Sequence, residues 1–155
     1  MALEIERKFL VKNSSYRTLA NPLLYRQGYL AIFPDREIRV RMAGEKSFVT
    51  IKSKVNETTR NEFEYAIPKQ DAVFMLENLC IGSVIEKHRY RIAQGELCWE
   101  VDEFSGDNQG LVVAEIELPD SGFPFIKPAW IGEEITGDDR YLNAAIALNP
   151  FKNWK

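Results

Sequence analysis

Along most of the chain, polar and apolar residues alternate with a period of two, in short runs separated by turn residues, and only a few stretches show helical spacing. Residues 3–10 open the pattern. Leu3, Ile5 and Phe9 fall on one parity together with Arg7, while Glu4, Glu6 and Lys8 fall on the other. Asn13-Ser14-Ser15 can cap a short helix through Leu19, which Pro22 prevents from continuing. Residues 27–32 read as a strand. Residues 37–42 alternate strictly, turn at Ala43-Gly44-Glu45 and return over 47–52, which predicts a hairpin. Residues 60–67 form a further strand that Pro68 ends. Over 69–81, Ala72, Val73, Leu76, Leu79 and Cys80 share a helical stripe, with Gly82 placed as the stop.

Residues 84–93 alternate again and turn at Gln94-Gly95 into a strand over 97–102. A loop over 105–110 leads to a last alternating run, 111–118. Pro119 and Pro124 mark a break, residues 125–131 suit a short amphipathic turn, and Gly137-Asp138 precede a helix over 140–148. No internal repeat and no linker divides the chain, so residues 1–155 are expected to form one mainly β domain with a few helices.

One parity collects most of the chemistry. It carries Glu4, Glu6, Glu62, Glu64, Glu100, Asp102, Glu115 and Glu117 as acids, with Lys8, Arg39, Arg41, Lys52, Lys87, Arg89 and Arg91 as bases. An open antiparallel sheet with one solvated face is what such alternation ordinarily means. Two features point the other way. These strands pair charge with charge at i, i+2 and segregate the signs strand by strand, where a solvated face mixes in Ser, Thr, Asn and Gln. About eight antiparallel strands is also the number at which a sheet can close into a small barrel and turn one parity inward.

In a closed barrel the apolar core would lie outside the wall and the interior would be wet. Two carboxylates about 4 Å apart repel by roughly 4 kcal/mol at an effective dielectric of 20, so crowded acids invite a divalent cation or a basic partner. All-oxygen ligation favours Mg²⁺, Mn²⁺ or Ca²⁺. The basic set suits an anion with charge spread along a line, such as a polyphosphate.

Composition narrows the alternatives. Twenty Lys and Arg against 23 Asp and Glu leave a net charge of −3, with no basic block to collect nucleic acid or anionic membrane. An apolar content of 45% excludes disorder. Cys80 and Cys98 are too few and too far apart for a disulfide framework or a thiolate zinc site, and are expected to be reduced packing residues. Charge at Glu4, Glu6, Arg7 and Lys8 leaves no room for a signal peptide, and no run approaches a membrane span, so a soluble cytoplasmic protein is expected.

Glu4-x-Glu6-x-Lys8, followed in order by Arg39-x-Arg41, Thr50-Ile51-Lys52, Glu62-x-Glu64, Lys87-x-Arg89, Glu100-x-Asp102 and Glu115-x-Glu117, resembles the CYTH domain, or triphosphate tunnel metalloenzyme, family over nearly the whole chain. The stretches Gln27-Gly28-Tyr29-Leu30, Trp99-Glu100-Val101-Asp102 and Gly137-Asp138-Asp139-Arg140-Tyr141 look like its short bacterial single-domain members. The resemblance implies a closed eight-stranded antiparallel tunnel with helices outside, binding a triphosphate and Mg²⁺ or Mn²⁺ and hydrolysing a phosphoanhydride. By position it assigns Glu4, Glu6, Asp102, Glu115 and Glu117 to metal, and Lys8, Arg39, Arg41, Lys52, Lys87, Arg89 and Arg91 to phosphate. Glu62, Glu64 and Glu100 are left as metal ligands, water positioners or partners of the basic side chains.

Lys87 near Tyr29 is the candidate general base, since a lysine crowded by cations has its pKa lowered. The expected reaction is hydrolysis of inorganic tripolyphosphate to pyrophosphate and phosphate, by a monomer or homodimer. Alternatives are a thiamine-triphosphatase or nucleoside-triphosphatase, an adenylate cyclase, or a non-catalytic polyphosphate-binding module. Arg7 and His88, on the apolar parity, are expected outside the tunnel, and Trp99 in the core. Trp130 and Trp154 are left open as packing residues or as platforms for an organic ring.

Overall fold

The computed structural model describes residues 2–154. Nine strands are present: β1 (Ala2–Val11), β2 (Leu23–Phe33), β3 (Arg36–Ala43), β4 (Lys46–Lys54), β5 (Thr59–Ala66), β6 (Ile81–Gln94), β7 (Leu97–Phe104), β8 (Val112–Glu117) and β9 (Ile131–Glu134). Two helices accompany them, α1 (Lys69–Asn78) and α2 (Asn143–Leu148). The strands hydrogen-bond in the order β5-β4-β3-β2-β6-β7-β8-β1, and β1 returns to β5, so eight antiparallel strands close on themselves. Closure removes the free edges that an open sheet would expose.

Strand β1 makes the closure by dividing its length. Its first residues pair with β5, in the register Ala2↔Glu62 and Glu4↔Arg60, while Glu6 to Leu10 pair with β8. Beyond the end of β5 the same edge of β1 takes up β9, through Phe9↔Glu134 and Val11↔Ile131. The hairpins between β3 and β4 and between β6 and β7 turn on Gly44 at φ +60° and Gly95 at φ +58°, a backbone conformation that costs glycine nothing.

The apolar parity faces outward and is covered piecemeal. Phe9, Trp99, Val101 and Ile116 pack under Tyr16 and Trp130 on one side. Trp99 is fully buried and meets Phe9, Phe125 and Trp130 edge to face at 5.6, 5.8 and 5.9 Å, contacts each contributing about 0.5–1.5 kcal/mol beyond area burial. A second cluster joins Tyr29, Ile85, Phe104 and Val113 to Ile146 and Ala147 of α2. A third sets Ala72 and Leu76 of α1 on Val40. The core therefore lies outside the barrel wall, which leaves the interior to the charged parity.

Local departures from the sequence expectations have identifiable causes. Asn13 caps the chain as expected, its Oδ1 accepting from Ser15 N and Oγ, but only a 3-10 turn forms, over Ser15–Thr18. Helix α1 ends at Asn78 rather than running to 81, Leu79 is exposed, and Gly82 already lies in β6. There Gly82 adopts φ +70°, and a Cβ on it would lie 2.4 Å from the Ala147 carbonyl oxygen, so it serves the docking of α2 and not the end of α1. The helix expected over 140–148 is broken at Leu142, at φ −65° and ψ 138°, into a 3-10 turn at Asp139–Tyr141 and α2. Where an amphipathic turn was expected to run to 131, β9 begins. Its sequence Ile-Gly-Glu-Glu has little intrinsic strand preference, and the open edge of β1 imposes the conformation. No helix among the described residues is long and apolar enough to cross a membrane.

Candidate functional site

The inward parity encloses a cavity of about 620 Å³. Every charged residue expected on that parity lines it except Asp102. Ion pairs join the two signs across it, among them Lys52–Glu4, Arg89–Glu100 and Arg89–Glu115, but their distribution is uneven. One wall is crowded with cations and another with carboxylates.

The cationic wall is built by β3, β2 and β6, which are neighbours in that order. Strand β3 presents Arg39 and Arg41, and β6 presents Lys87, Arg89 and Arg91. Between them Tyr25 of β2 carries the guanidinium groups of Arg41 and Arg89, each 5.0 Å from its ring centre. Burial, then the charges of Arg39 and Arg89, push the Arg41 guanidinium below its ordinary range. Burial likewise pushes Lys87 down to about 7; Asp102 opposes this, and Arg89 and Arg41 add to it. Arg39 Nε is buried without a hydrogen-bond partner, an orphaned donor of the kind a bound anion satisfies. Lys8, also buried, stands opposite Glu115 across the β1–β8 ladder. Arg91 sits at the rim, largely exposed, with Glu100 at 3.6 Å.

Asp102 stands behind this wall. It takes Arg89 bidentately, at 2.7 and 2.8 Å, and Lys87 Nζ at 2.8 Å, and it is fully buried behind them. Both of its oxygens accept from basic side chains of the wall.

The acidic wall comes from β1, β8 and β7. The register sets Glu6 directly opposite Glu117, and Glu100 directly opposite Glu115. Like charges directly opposite destabilise a sheet unless a counter-charge lies between them. Burial and then the charges of Glu115 and Glu4 push the Glu6 carboxyl up to about 8. Burial, Glu4 and Glu100 also raise Glu117. Glu115 goes the other way: burial opposes its charge, but Lys8 and Arg89 hold it well below the ordinary range. Lys52 bonds Glu4 at 2.8 and 3.1 Å and reaches Glu62 at 3.6 Å. Glu64 accepts from Thr50 Oγ1 at 2.9 Å and lies 3.9 Å from Arg39.

This donor set fits a hard divalent cation. Glu4, Glu6, Glu115 and Glu117 supply carboxylate oxygens, two of them with carboxyls pushed up by burial and neighbouring acids, and a cation held by them would remove that repulsion. Among the described residues no three His, Cys, Asp or Glu side chains are preassembled into a coordination sphere, because Glu4 and Glu115 are turned toward basic neighbours.

Sequence reasoning missed Tyr25, Glu37, Arg60 and Asn143, which line the cavity, and Gln27, which stands behind it. Arg60 and Glu37 share the parity of Glu62 and Arg39 at i, i+2, a signal that was available; Arg60 lies 3.9 Å from Glu6. Gln27 and Asn143 carry no charge, yet they bond Arg41 and Lys87 respectively. Tyr29 lines the cavity beside Arg39, its register partner, while Tyr25 is the residue opposite Lys87. Arg7 lies outside, bonded to Glu134 at 2.6 and 2.7 Å, and His88 is exposed. Trp130 packs in the same outer cluster as Trp99, and Trp154 stacks edge-on to Tyr141 and Phe151.

Comparison with known proteins matches residues 2–144 to the CYTH domain family. The chain is similar to an inorganic triphosphatase of Acetivibrio thermocellus, 50% identical over 155 residues covering all of this chain and 99% of that protein. It is also similar to an inorganic triphosphatase of Nitrosomonas europaea, 41% identical over 94% of this chain and 97% of that protein. Among solved structures, the crystal structure of the inorganic triphosphatase NE1496 superposes with a TM-score of 0.68, at 36% identity over 96% of each chain.

Proposed function

The chain belongs to the CYTH domain family, and from that premise we propose that it hydrolyses a phosphoanhydride bond of a linear triphosphate with a divalent cation, converting inorganic tripolyphosphate to pyrophosphate and phosphate. What carries this reading is the division of one cavity into a cation-crowded wall and an acid-crowded wall. Each wall repels itself. A triphosphate would relieve the first, and a divalent cation held by the carboxylates would relieve the second.

The residues divide the work accordingly. Arg39, Arg41 and Arg89 offer planar forks to phosphoryl oxygens, and Lys8, Lys52 and Lys87 offer point charges. Arg91 meets the anion at the rim. Glu4, Glu6, Glu115 and Glu117 would hold Mg²⁺ or Mn²⁺, which when bound neutralises phosphoryl charge and activates the attacking water. Glu62, Glu64 and Glu100 border both walls and hold basic side chains or water in place. Attack is in line on a terminal phosphorus. The new P–O bond forms as the bridging P–O bond breaks, and pyrophosphate departs against the arginines. Lys87, pushed down to about 7, accepts the proton of the water, with Tyr29 contributing to the same wall.

The test is phosphate release from tripolyphosphate, ATP, thiamine triphosphate and pyrophosphate with Mg²⁺, Mn²⁺ or EDTA. Metal-dependent release greatest on tripolyphosphate supports the reading. Preference for an organic triphosphate overturns the substrate assignment, and binding without turnover overturns the enzymatic one.

A further inference from the structure

The helix α2 delivers one side chain into the cavity, and that side chain touches the buried lysine. Asn143 Oδ1 accepts from Lys87 Nζ at 3.1 Å and from Gln27 Nε2 at 2.8 Å, and Gln27 Oε1 accepts from Arg41 Nε at 2.8 Å. The donor inventory gives this relay a single polarity. An arginine only donates, so Gln27 must turn its oxygen to Arg41 and its amide nitrogen to Asn143. A lysine ammonium also only donates, so Asn143 must present its oxygen to both. Reversing either amide would set NH₂ against a donor.

On its other side Lys87 bonds Asp102 at 2.8 Å. Asn143 and Asp102 thus take two of the three positions on the nitrogen, and one remains on a side chain that lines the cavity. Gln27 and Lys87 are both fully buried, while Asn143 and Arg41 are half-buried at the cavity wall, so the relay runs from the interior to the cavity. The separation between Asn143 and Lys87 is set by how α2 docks on β6. Ala144, Ile146 and Ala147 are buried against that strand's neighbourhood, and the Gly82 backbone meets the Ala147 carbonyl so closely that no side chain fits between them.

We propose that Asn143 is a positioning residue for the hydrolytic reaction, aiming Lys87 Nζ into the cavity, where its neutral form accepts the proton of the attacking water, and coupling it through Gln27 to Arg41. It rests on the triphosphatase reading above for its kinetic expression but not for its geometry. Asn143→Leu should lower kcat on tripolyphosphate by about ten- to a hundredfold, the worth of one hydrogen bond to a charged group. KM should stay within about twofold, because the phosphate-binding arginines remain. In a Lys87→Met background the same substitution should cost nothing further. An equal loss in that background, or a change confined to KM, overturns the proposal.

A second measurement does not depend on turnover. In the unliganded protein at acidic pH, the Lys87 ammonium should give a slowly exchanging ¹H–¹⁵N signal, assigned by its absence from Lys87→Met. Asn143→Leu should abolish this signal, and Asn143→Ala serves if the leucine variant fails to fold. Persistence of the signal overturns the proposal. If the wild-type protein releases no phosphate from tripolyphosphate, the triphosphatase reading falls and Asn143 is judged on this signal alone.

Discussion

Lys87 Nζ lies 2.8 Å from Asp102 Oδ2, in an ion pair from which both side chains are excluded from solvent. Arg89 shares the same carboxylate. Removing the acid leaves the buried Lys87 without a counter-charge and Arg89 with only Glu100 and Glu115, at 3.2 and 3.8 Å; breaking a buried pair in this way costs about 3–5 kcal/mol. Asp102→Ala should therefore lower the melting temperature strongly and raise KM. The metal concentration for half-maximal activity should stay where it is in the wild type. A large rise in that concentration would assign Asp102 to the metal site.

Lys87 also sets a pH dependence. With its amine pushed down to about 7 by burial, the neutral form grows as pH rises through that value. The value of kcat/KM, which reports the free enzyme, should climb along an acidic limb near pH 7 and then level off. Lys87→Met should lose the limb together with most of the activity. A limb that survives the substitution would assign the proton to another group.

Glu6 and Glu117 oppose each other directly across β1 and β8. Glu117→Gln removes one ligand charge and one source of repulsion. The Mg²⁺ concentration for half-maximal activity should rise by about tenfold or more, the equivalent of roughly 1.4 kcal/mol of lost binding. In EDTA the variant should melt no lower than the wild type. Loss of stability in EDTA would show that Glu117 serves the fold and not a cation.

Outside the barrel, Glu103 accepts from Arg17 Nε at 2.5 Å and from the Tyr16 hydroxyl. Burial raises its carboxyl, but those two hydrogen bonds outweigh it and hold the pKa below the ordinary range. A carboxyl depressed in the folded state adds stability above its unfolded pKa and loses it as pH falls through the folded value. Glu103→Gln should therefore be destabilised at pH about 7 and approach the wild type near pH about 3, as followed by thermal melting. A constant difference across that range would remove the ionic contribution.

Gly82 and Gly95 separate backbone strain from close approach. Both have positive φ, +70° and +58°, but a Cβ at Gly82 would strike Ala147 while one at Gly95 would meet nothing within 4 Å. Gly95→Ala should cost about 1 kcal/mol for strain alone. Gly82→Ala should cost more and should also lower kcat, because it displaces α2 and with it Asn143. Equal melting temperatures for the two variants would mean that α2 yields freely.

Much of this protein is legible locally. A strand exposes residues i and i+2 on one face, so Glu4-x-Glu6-x-Lys8, Arg39-x-Arg41 and Glu115-x-Glu117 announce themselves without knowledge of any partner strand. The hairpins at Gly44 and Gly95 follow from short-range turn chemistry, and the apolar parity predicts where Trp99 and Ile116 pack. What alternation does not contain is direction. The same charged parity would serve a solvated open sheet, and only the pairing of Ala2 through Ile5 with β5, some sixty residues away in sequence, turns it inward. The fate of each charge is likewise non-local: Asp102 is consumed by Lys87 and Arg89, and Glu6 is set against Glu117, by register between strands. Gln27 and Asn143 are uncharged, so neither joins the alternating charges that mark the site, although Gln27 opens a strand that the sequence predicts. They enter the site because α2 docks on β6 and brings an amide to a buried lysine that would otherwise have one partner fewer.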